Sequence, residues 1–311
     1  MYLLNNIWNY FSSAVWGILG ITATVIVAVI SCIVAWIFYY LGKRSGDKKH
    51  NDLIERYDKL VAIYAEIAKK TSPQDATPEQ EVEIRTFAEI ITNPKTAGEF
   101  FLKAYVAQID EHHDTAIKYY KKSLDLDPDD AHVYNNMGVA YKNKGDHDKA
   151  IEYCQKAIEL KPDNAEPYNN MGIAYGGKGD HDKATECFLK AIKLKPDYAE
   201  AYNNMGNAYD NKGDHDKAIE CYLKAIELKP DYANAYCNMG IAYGQGKRDY
   251  DKAIEYCQKA IDLKPDFAMA YYNMGMAYGL NGNEKKAIEC IKTAAQLGNE
   301  EAQKFLSKNN S

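Results

Sequence analysis

A unit of 34 residues that returns along two-thirds of the chain is the feature that most constrains its fold. The strong copies begin at Ala131, Ala165, Ala199, Ala233 and Ala268, and a degenerate copy begins at Ala97. The copy from Ala233 is one residue longer, within GQGKRDYDKA, a turn that is expected to absorb the extra residue. Self-similarity at this period is typical of repeat architectures, so the chain is expected to form an array of stacked units.

Each unit has the pattern of two amphipathic helices. In the copy from Ala131 the first helix carries an apolar stripe at i, i+3, i+4 and i+7, made of Tyr134, Met137, Gly138 and Tyr141. The segment NKGD breaks this helix. The second helix carries the stripe Ala150, Cys154, Ala157 and Ile158 and ends before Pro162. Two such helices cannot bury their apolar faces alone, so further copies are expected to stack on them.

These residues resemble the tetratricopeptide repeat, whose pattern W-x2-L-G-x2-Y stands here as Tyr134-x2-Met137-Gly138-x2-Tyr141. The resemblance implies an all-α fold, a right-handed α-solenoid of six helix-turn-helix repeats over residues 97–301. In the degenerate first copy, Ala104 replaces the expected glycine. Residues 299–311 are predicted to form a short solvating helix and tail.

The N-terminal segment, residues 1–42, contains no Asp, Glu, Lys or Arg. From Ala14 to Leu41 it is apolar enough, and long enough, to cross a hydrocarbon core about 30 Å thick. The alternative, a secretory signal peptide, has a basic leading segment and a shorter apolar core. A transmembrane helix is therefore predicted at about residues 14–41.

The residues that flank this predicted span set its orientation. Lys43, Arg44, Lys48 and Lys49 follow it directly, whereas the short N-terminal side has no Lys or Arg. By the positive-inside rule the N-terminus faces outward and the repeats are cytoplasmic. The predicted localisation is the cell membrane, with a single span.

Two segments connect the span to the repeats. Residues 43–70 are predicted to be basic and then helical, with the heptad stripe Leu53, Tyr57, Leu60, Tyr64 and Ile67. Two interpretations stay open: this helix packs on its own chain, or residues 53–67 join copies into a homo-oligomer. Residues 71–96 are predicted to be a linker and a capping helix, with Thr77 as N-cap before Pro78.

Catalytic chemistry is not indicated. The recurring turn GDHDKA places His147, His181 and His215 between aspartates, but acids at an inter-helix turn suit helix caps, so no metal site is predicted. No phosphate loop, nucleophile elbow or HExxH motif occurs, so we predict no catalytic residue, no cofactor and no enzyme activity. A net charge of −6 argues against binding nucleic acid.

Five cysteines recur in the second helices of the repeats, 33 to 36 residues apart. They are Cys154, Cys187, Cys221, Cys257 and Cys290. At this spacing each cysteine lies one layer from the next, so the set is interpreted as small buried hydrophobes and not as disulfides.

In tetratricopeptide arrays a second stripe of each first helix lines a groove that holds partner segments. It comprises positions 2, 6, 9 and 13 of each repeat, and we call it the groove stripe. Five asparagines return at position 6: Asn136, Asn170, Asn204, Asn238 and Asn273. Asn143, Asn207 and Asn211 are among the further asparagines of the stripe. Apolar residues occupy its two ends, Leu102 and Tyr105 at one, and Met269, Met276 and Leu280 at the other.

The groove stripe contains no Lys or Arg, so it lacks the cations with which chaperone-binding members of the family clamp a C-terminal carboxylate. A primary amide offers one acceptor and two donors, which match the C=O and N–H of a peptide unit. The predicted function is therefore a membrane-anchored interaction scaffold that binds an extended peptide segment of a protein partner. Alternatives are asparagines that only bond between repeats, a self-assembling structural protein, and a non-catalytic subunit of a membrane-bound enzyme or assembly complex.

Overall fold

The computed structural model describes residues 48–70 and 77–309, in which every regular element is a helix. The described residues divide into two compact units, one up to Lys144 and one from Gly145, so the boundary lies between the two helices of the second repeat. None of the helices in the described ranges is long and apolar enough to cross a membrane. The predicted span at residues 14–41 lies outside the described residues.

The first unit contains two helices that precede the repeats, α1 (Lys48–Lys70) and α2 (Pro78–Ile90). Its repeat helices are α3 (Ala97–Ile109), α4 (His113–Leu126) and α5 (Ala131–Asn143). The second unit begins with α6 (His147–Leu160), α7 (Ala165–Gly177), α8 (His181–Leu194), α9 (Ala199–Asn211) and α10 (His215–Leu228). It ends with α11 (Ala233–Ile241), a π-helix (Ala242–Lys247), α12 (Tyr250–Leu263), α13 (Ala268–Leu280), α14 (Glu284–Gln296) and α15 (Glu300–Asn309).

The predicted all-helical repeat fold is confirmed, because each copy of the sequence unit forms two helices in succession. Close approach of the paired helices explains the glycine that follows methionine in the strong copies from Ala165 onward. A Cβ atom on Gly206 would lie 2.5 Å from Cε1 of Tyr222, and Tyr222 is buried on the facing helix. Any side chain at Gly206 would therefore push α9 away from α10.

The recurring turn GDHDKA has a structural role. Its first aspartate caps the second helix: the Lys183 backbone N–H donates to Asp180 Oδ1 at 3.2 Å, and the equivalent bonds recur at Asp146, Asp214 and Asp249. Its second aspartate pairs with the next repeat, as in the ion pair of 2.5 Å between Lys212 Nζ and Asp182 Oδ1. The acids therefore cap helices and connect layers.

The extra residue of the copy from Ala233 lies inside its first helix and not in the turn that follows. The chain widens there from α11 into the π-helix, which takes one more residue per turn than an α-helix. Gly246 then lies against the ring of His215, as Gly177 lies against the ring of His147. The π-helix thus restores the repeat register before α12 begins.

The heptad stripe of α1 packs on its own unit. The Tyr57 hydroxyl donates to Glu99 Oε1 at 2.6 Å, and the Tyr64 ring stacks on Phe87 of α2 at 4.5 Å between centroids. Burial of Glu99 opposes ionisation, yet this bond and those from the Lys95 and Thr96 backbone N–H groups hold its pKa below the usual value. The aromatic part of the stripe is therefore engaged within the chain.

The six cysteines of the described residues are all buried free thiols. Burial raises the pKa of Cys187 to about 11 and that of Cys221 to about 12, with smaller contributions from neighbouring carboxylates. The interpretation of the five recurring cysteines as packing residues is confirmed.

Candidate functional site

In the second unit the groove stripe presents partly exposed carboxamides on successive first helices. Asn170 lies on α7, Asn204 on α9, Asn238 on α11 and Asn273 on α13, and each is neither fully buried nor fully exposed. Asn211, at the end of α9, is exposed. The recurrence of NMG places one amide in each layer.

These amides are hydrogen bonded from one layer to the next. Asn204 Nδ2 donates to Asn169 Oδ1 at 3.1 Å, and Asn238 Nδ2 donates to Asn203 Oδ1 at 3.0 Å. Asn169 and Asn203 are buried, and each is the first residue of an NN doublet whose second residue lies on the groove stripe. Inter-repeat bonding, one of the alternatives, is therefore present at these two amides.

A second bond orients Asn238 further. Its Nδ2 also donates to Asn207 Oδ1 at 3.0 Å, and the Tyr222 hydroxyl donates to the same oxygen at 2.8 Å. Burial, with a smaller contribution from Asp210, raises the pKa of Tyr222, so this phenol stays protonated and donates. Both N–H groups of Asn238 and both lone pairs of Asn207 Oδ1 are thus used inside the unit.

The polar atoms left over define what the stripe offers to a ligand. Within the described part of the chain, Oδ1 of Asn204 and Oδ1 of Asn238 accept no hydrogen bond, and Nδ2 of Asn207 donates none. An acceptor on Asn238 and a donor on its bonded neighbour Asn207 together match the N–H and C=O of one peptide unit. The sequence predicts that a single asparagine supplies both the donor and the acceptor for a peptide unit. At Asn238 both N–H donors are already used, so the donor must come from Asn207 and the acceptor from Asn238.

The last layer combines an anchored amide with exposed apolar side chains. Asn273 Nδ2 donates to the Met269 carbonyl oxygen at 3.0 Å and contacts Cys237 Sγ at 3.8 Å. Cys237 stands where the preceding copies have the first asparagine of the doublet. Met269, Met276 and Leu280 are 50%, 37% and 59% exposed, so this end of the stripe is open to an apolar ligand group.

The other predicted apolar end is not open, which corrects the assignment of Leu102 and Tyr105 to the groove lining. Both are 0% exposed. They lie on α3, against which α1 and α2 pack, and a Cβ on Gly98 would meet Val61 of α1 at 3.1 Å. In the same unit Asn136 is buried, whereas Asn143 is exposed. The helices α1 and α2, which lie outside the repeats, pack on the helix that carries Leu102 and Tyr105, two residues that the repeat period had predicted to be exposed.

Charge is sparse along the stripe of the second unit. Glu200 is paired with Lys229 at 2.9 Å, and from Asn204 to Leu280 every stripe residue is uncharged. In the described part of the chain, no three His, Cys, Asp or Glu side chains are grouped in a way that could hold a metal ion. The surface is therefore suited to binding an uncharged, extended ligand through hydrogen bonds and apolar contacts.

Stacked helix pairs with one partly exposed amide stripe define a helical-repeat scaffold. Family models described as TPR repeat match residues 112–145, 177–213, 206–246 and 247–282. Others described as tetratricopeptide repeat match residues 131–164, 153–186 and 268–300. The chain belongs to the tetratricopeptide repeat family.

Two solved structures with TM-scores above 0.5 agree with this fold. The APC/C hetero-tetramer Cut9-Hcn1 superposes with a TM-score of 0.63 at 19% identity, over 86% of this chain and 57% of that chain. The pilF protein of Pseudomonas aeruginosa superposes with a TM-score of 0.57 at 18% identity, over 68% and 97%. MamA is 33% identical over 54% of this chain and 97% of that chain, with a TM-score of 0.46. No curated protein matches the chain significantly in sequence.

Proposed function

We propose that this protein is a membrane-anchored scaffold that binds an extended segment of a partner protein along the groove stripe of its second unit. The observation that carries the proposal is the bonded pair Asn207 and Asn238, whose internal bonds leave the Nδ2 group of Asn207 and the Oδ1 atom of Asn238 unused. A peptide backbone that loses water on this surface needs such partners, because an unsatisfied buried group costs about 1–3 kcal/mol.

The apolar end of the stripe supplies the second part of the binding surface. Met269, Met276 and Leu280 come from one face of α13, and unbranched thioether side chains adapt to ligands of different shape. An apolar side chain of the partner would gain about 25 cal/mol for each Å² that it buries there. The backbone contacts would hold the segment extended, and the methionines would select its apolar residue.

Anchoring at the membrane, with the repeats in the cytoplasm, is part of the same proposal. It is supported by the uncharged residues 1–42, the apolar run at 14–41 and the basic residues that follow it. A tethered scaffold raises the effective concentration of its partner near the membrane. Reporter fusions after Ser311 test this: activity of a reporter that works only outside the cytoplasm would contradict the orientation.

The backbone-binding role is tested by Asn207→Asp in the full-length chain. The substituted carboxylate keeps the oxygen that accepts from Tyr222 and Asn238, but it removes the outward N–H donors and repels a peptide carbonyl. We expect binding to an array of random-sequence peptides to fall at least tenfold while the helical circular dichroism stays unchanged.

The matched control is Gln296→Glu, which adds the same charge at an exposed position away from the groove stripe. It should leave peptide binding unchanged. Wild-type affinity in Asn207→Asp, or an equal loss in Gln296→Glu, would contradict the role of the Asn207 amide.

A further inference from the structure

Arg248 stands in a backbone conformation that the other turns of the second unit give to glycine. Its φ is 55° and its ψ is 27°, in the left-handed region. The equivalent residues Gly179, Gly213 and Gly282 have φ of 80°, 79° and 81°. A residue with a Cβ is strained in this region and glycine is not, so the turn itself gives no reason for an arginine.

The side chain of Arg248 is also unlike the cations around it. The residue that precedes each of these turns pairs with an aspartate of the repeat before: Lys212 pairs with Asp182, Lys247 pairs with Asp216, and the Asn281 amide donates to Asp251. Arg248 is exposed and makes no ion pair or hydrogen bond within the described part of the chain. It is the only arginine between residues 97 and 309.

The position of Arg248 connects it to the groove stripe. α11 and the π-helix carry the stripe residues of this repeat, and Arg248 is the first residue after them. Gly246, packed on the His215 ring, fixes the end of the π-helix just before it. The stripe has no Lys or Arg of its own, and Lys247 is held by Asp216, so Arg248 is the cation without an ion pair at the turn end of this repeat's stripe.

We propose that Arg248 is a recognition residue that binds an oxyanion, a carboxylate or a phosphate group, on the partner segment that lies along the groove stripe. A guanidinium presents a planar fork of N–H donors that fits both groups through paired, charge-assisted hydrogen bonds. The inference rests on the proposed function and adds to it: the segment is uncharged along the amides and carries an anion beside Arg248.

The test uses the full-length chain in detergent on an array of random-sequence peptides, in which some serines are phosphorylated. Peptides retained by the wild type should be enriched in Asp, Glu or phosphoserine, and separate scoring of these residues identifies the source of the anion. Arg248→Gly should weaken binding of the anionic peptides about tenfold, the loss expected for one charge-assisted contact. Its thermal midpoint should be equal to or above that of the wild type, because glycine relieves the strained φ.

The matched control is Glu111→Gly, which relieves the same conformation, with φ of 58°, in a turn of the first unit. It should leave peptide binding unchanged. If the wild type binds peptides without preference for anions, or if Arg248→Gly binds them equally well, the proposed role of Arg248 is wrong. Peptide binding along the groove stripe is not contradicted by either result. If the wild type binds no peptide at all, both the groove and the anion site are wrong.

Discussion

Substitution of Asn238 by alanine tests how far the amide ladder stabilises the repeats. The change removes the donor to Asn203 Oδ1 and one of the two donors to Asn207 Oδ1, each at 3.0 Å. Asn203 is buried, so its carbonyl would be left without a partner at a cost of about 1–3 kcal/mol. Asn207 keeps the hydroxyl of Tyr222, so the second loss is smaller.

Helix propensity acts in the opposite direction, because alanine is favoured over asparagine by roughly 0.5 kcal/mol within a helix. The expected net loss in free energy of unfolding is therefore about 1–2 kcal/mol. Urea unfolding of the full-length chain, followed by far-ultraviolet circular dichroism, measures it.

Asn234→Ala is the matched control, since Asn234 lies on the same helix, is exposed, and makes no hydrogen bond among the described residues. It receives the same gain in helix propensity and should be as stable as the wild type or slightly more stable. Asn238→Ala that is no less stable than Asn234→Ala would refute the ladder as a stabilising feature. A double-mutant cycle with Asn203→Ala should give a coupling of about 1 kcal/mol.

Three further outcomes follow from the packing. Gly206→Ala should destabilise the chain by about 1–3 kcal/mol, because its Cβ would lie 2.5 Å from the Tyr222 ring. Gly176→Ala is the control and should not destabilise the chain, because its Cβ would meet nothing within 4 Å. Thermal unfolding compares the two variants. Burial raises the pKa of Cys221 from 9.0 to about 12. The stability that this thiol contributes is therefore fully present below pH 9.0 and is lost as the pH rises towards 12. Urea unfolding across that pH range would show the loss. Glu111→Gly should raise stability by about 1 kcal/mol, because it relieves a left-handed φ of 58°. Differential scanning calorimetry measures this gain, and an unchanged thermal midpoint would contradict the argument from strain.

The candidate site shows where sequence reasoning stopped. The position of Asn204 and Asn238 on one stripe follows from the repeat frame, because residues a fixed period apart occupy equivalent places in successive layers. Their partners, Asn169 and Asn203, were missed, although the NN doublet in three successive copies was a signal for them. Whether an amide bonds to the next layer or to a ligand depends on distances of a few tenths of an ångström, which a residue pattern does not contain.

By itself the sequence determined the helical repeat, its register, the capping aspartates and the burial of the cysteines, because all of these depend on contacts within a repeat or between adjacent repeats. Only the tertiary structure decided which predicted groove residues are open. α1 is not part of the period, yet it packs on α3 and joins α2 in closing the end where Leu102 and Tyr105 lie. The tertiary structure also decided that the extra residue enters a π-helix, because only this insertion keeps Gly246 packed on His215 of the preceding repeat.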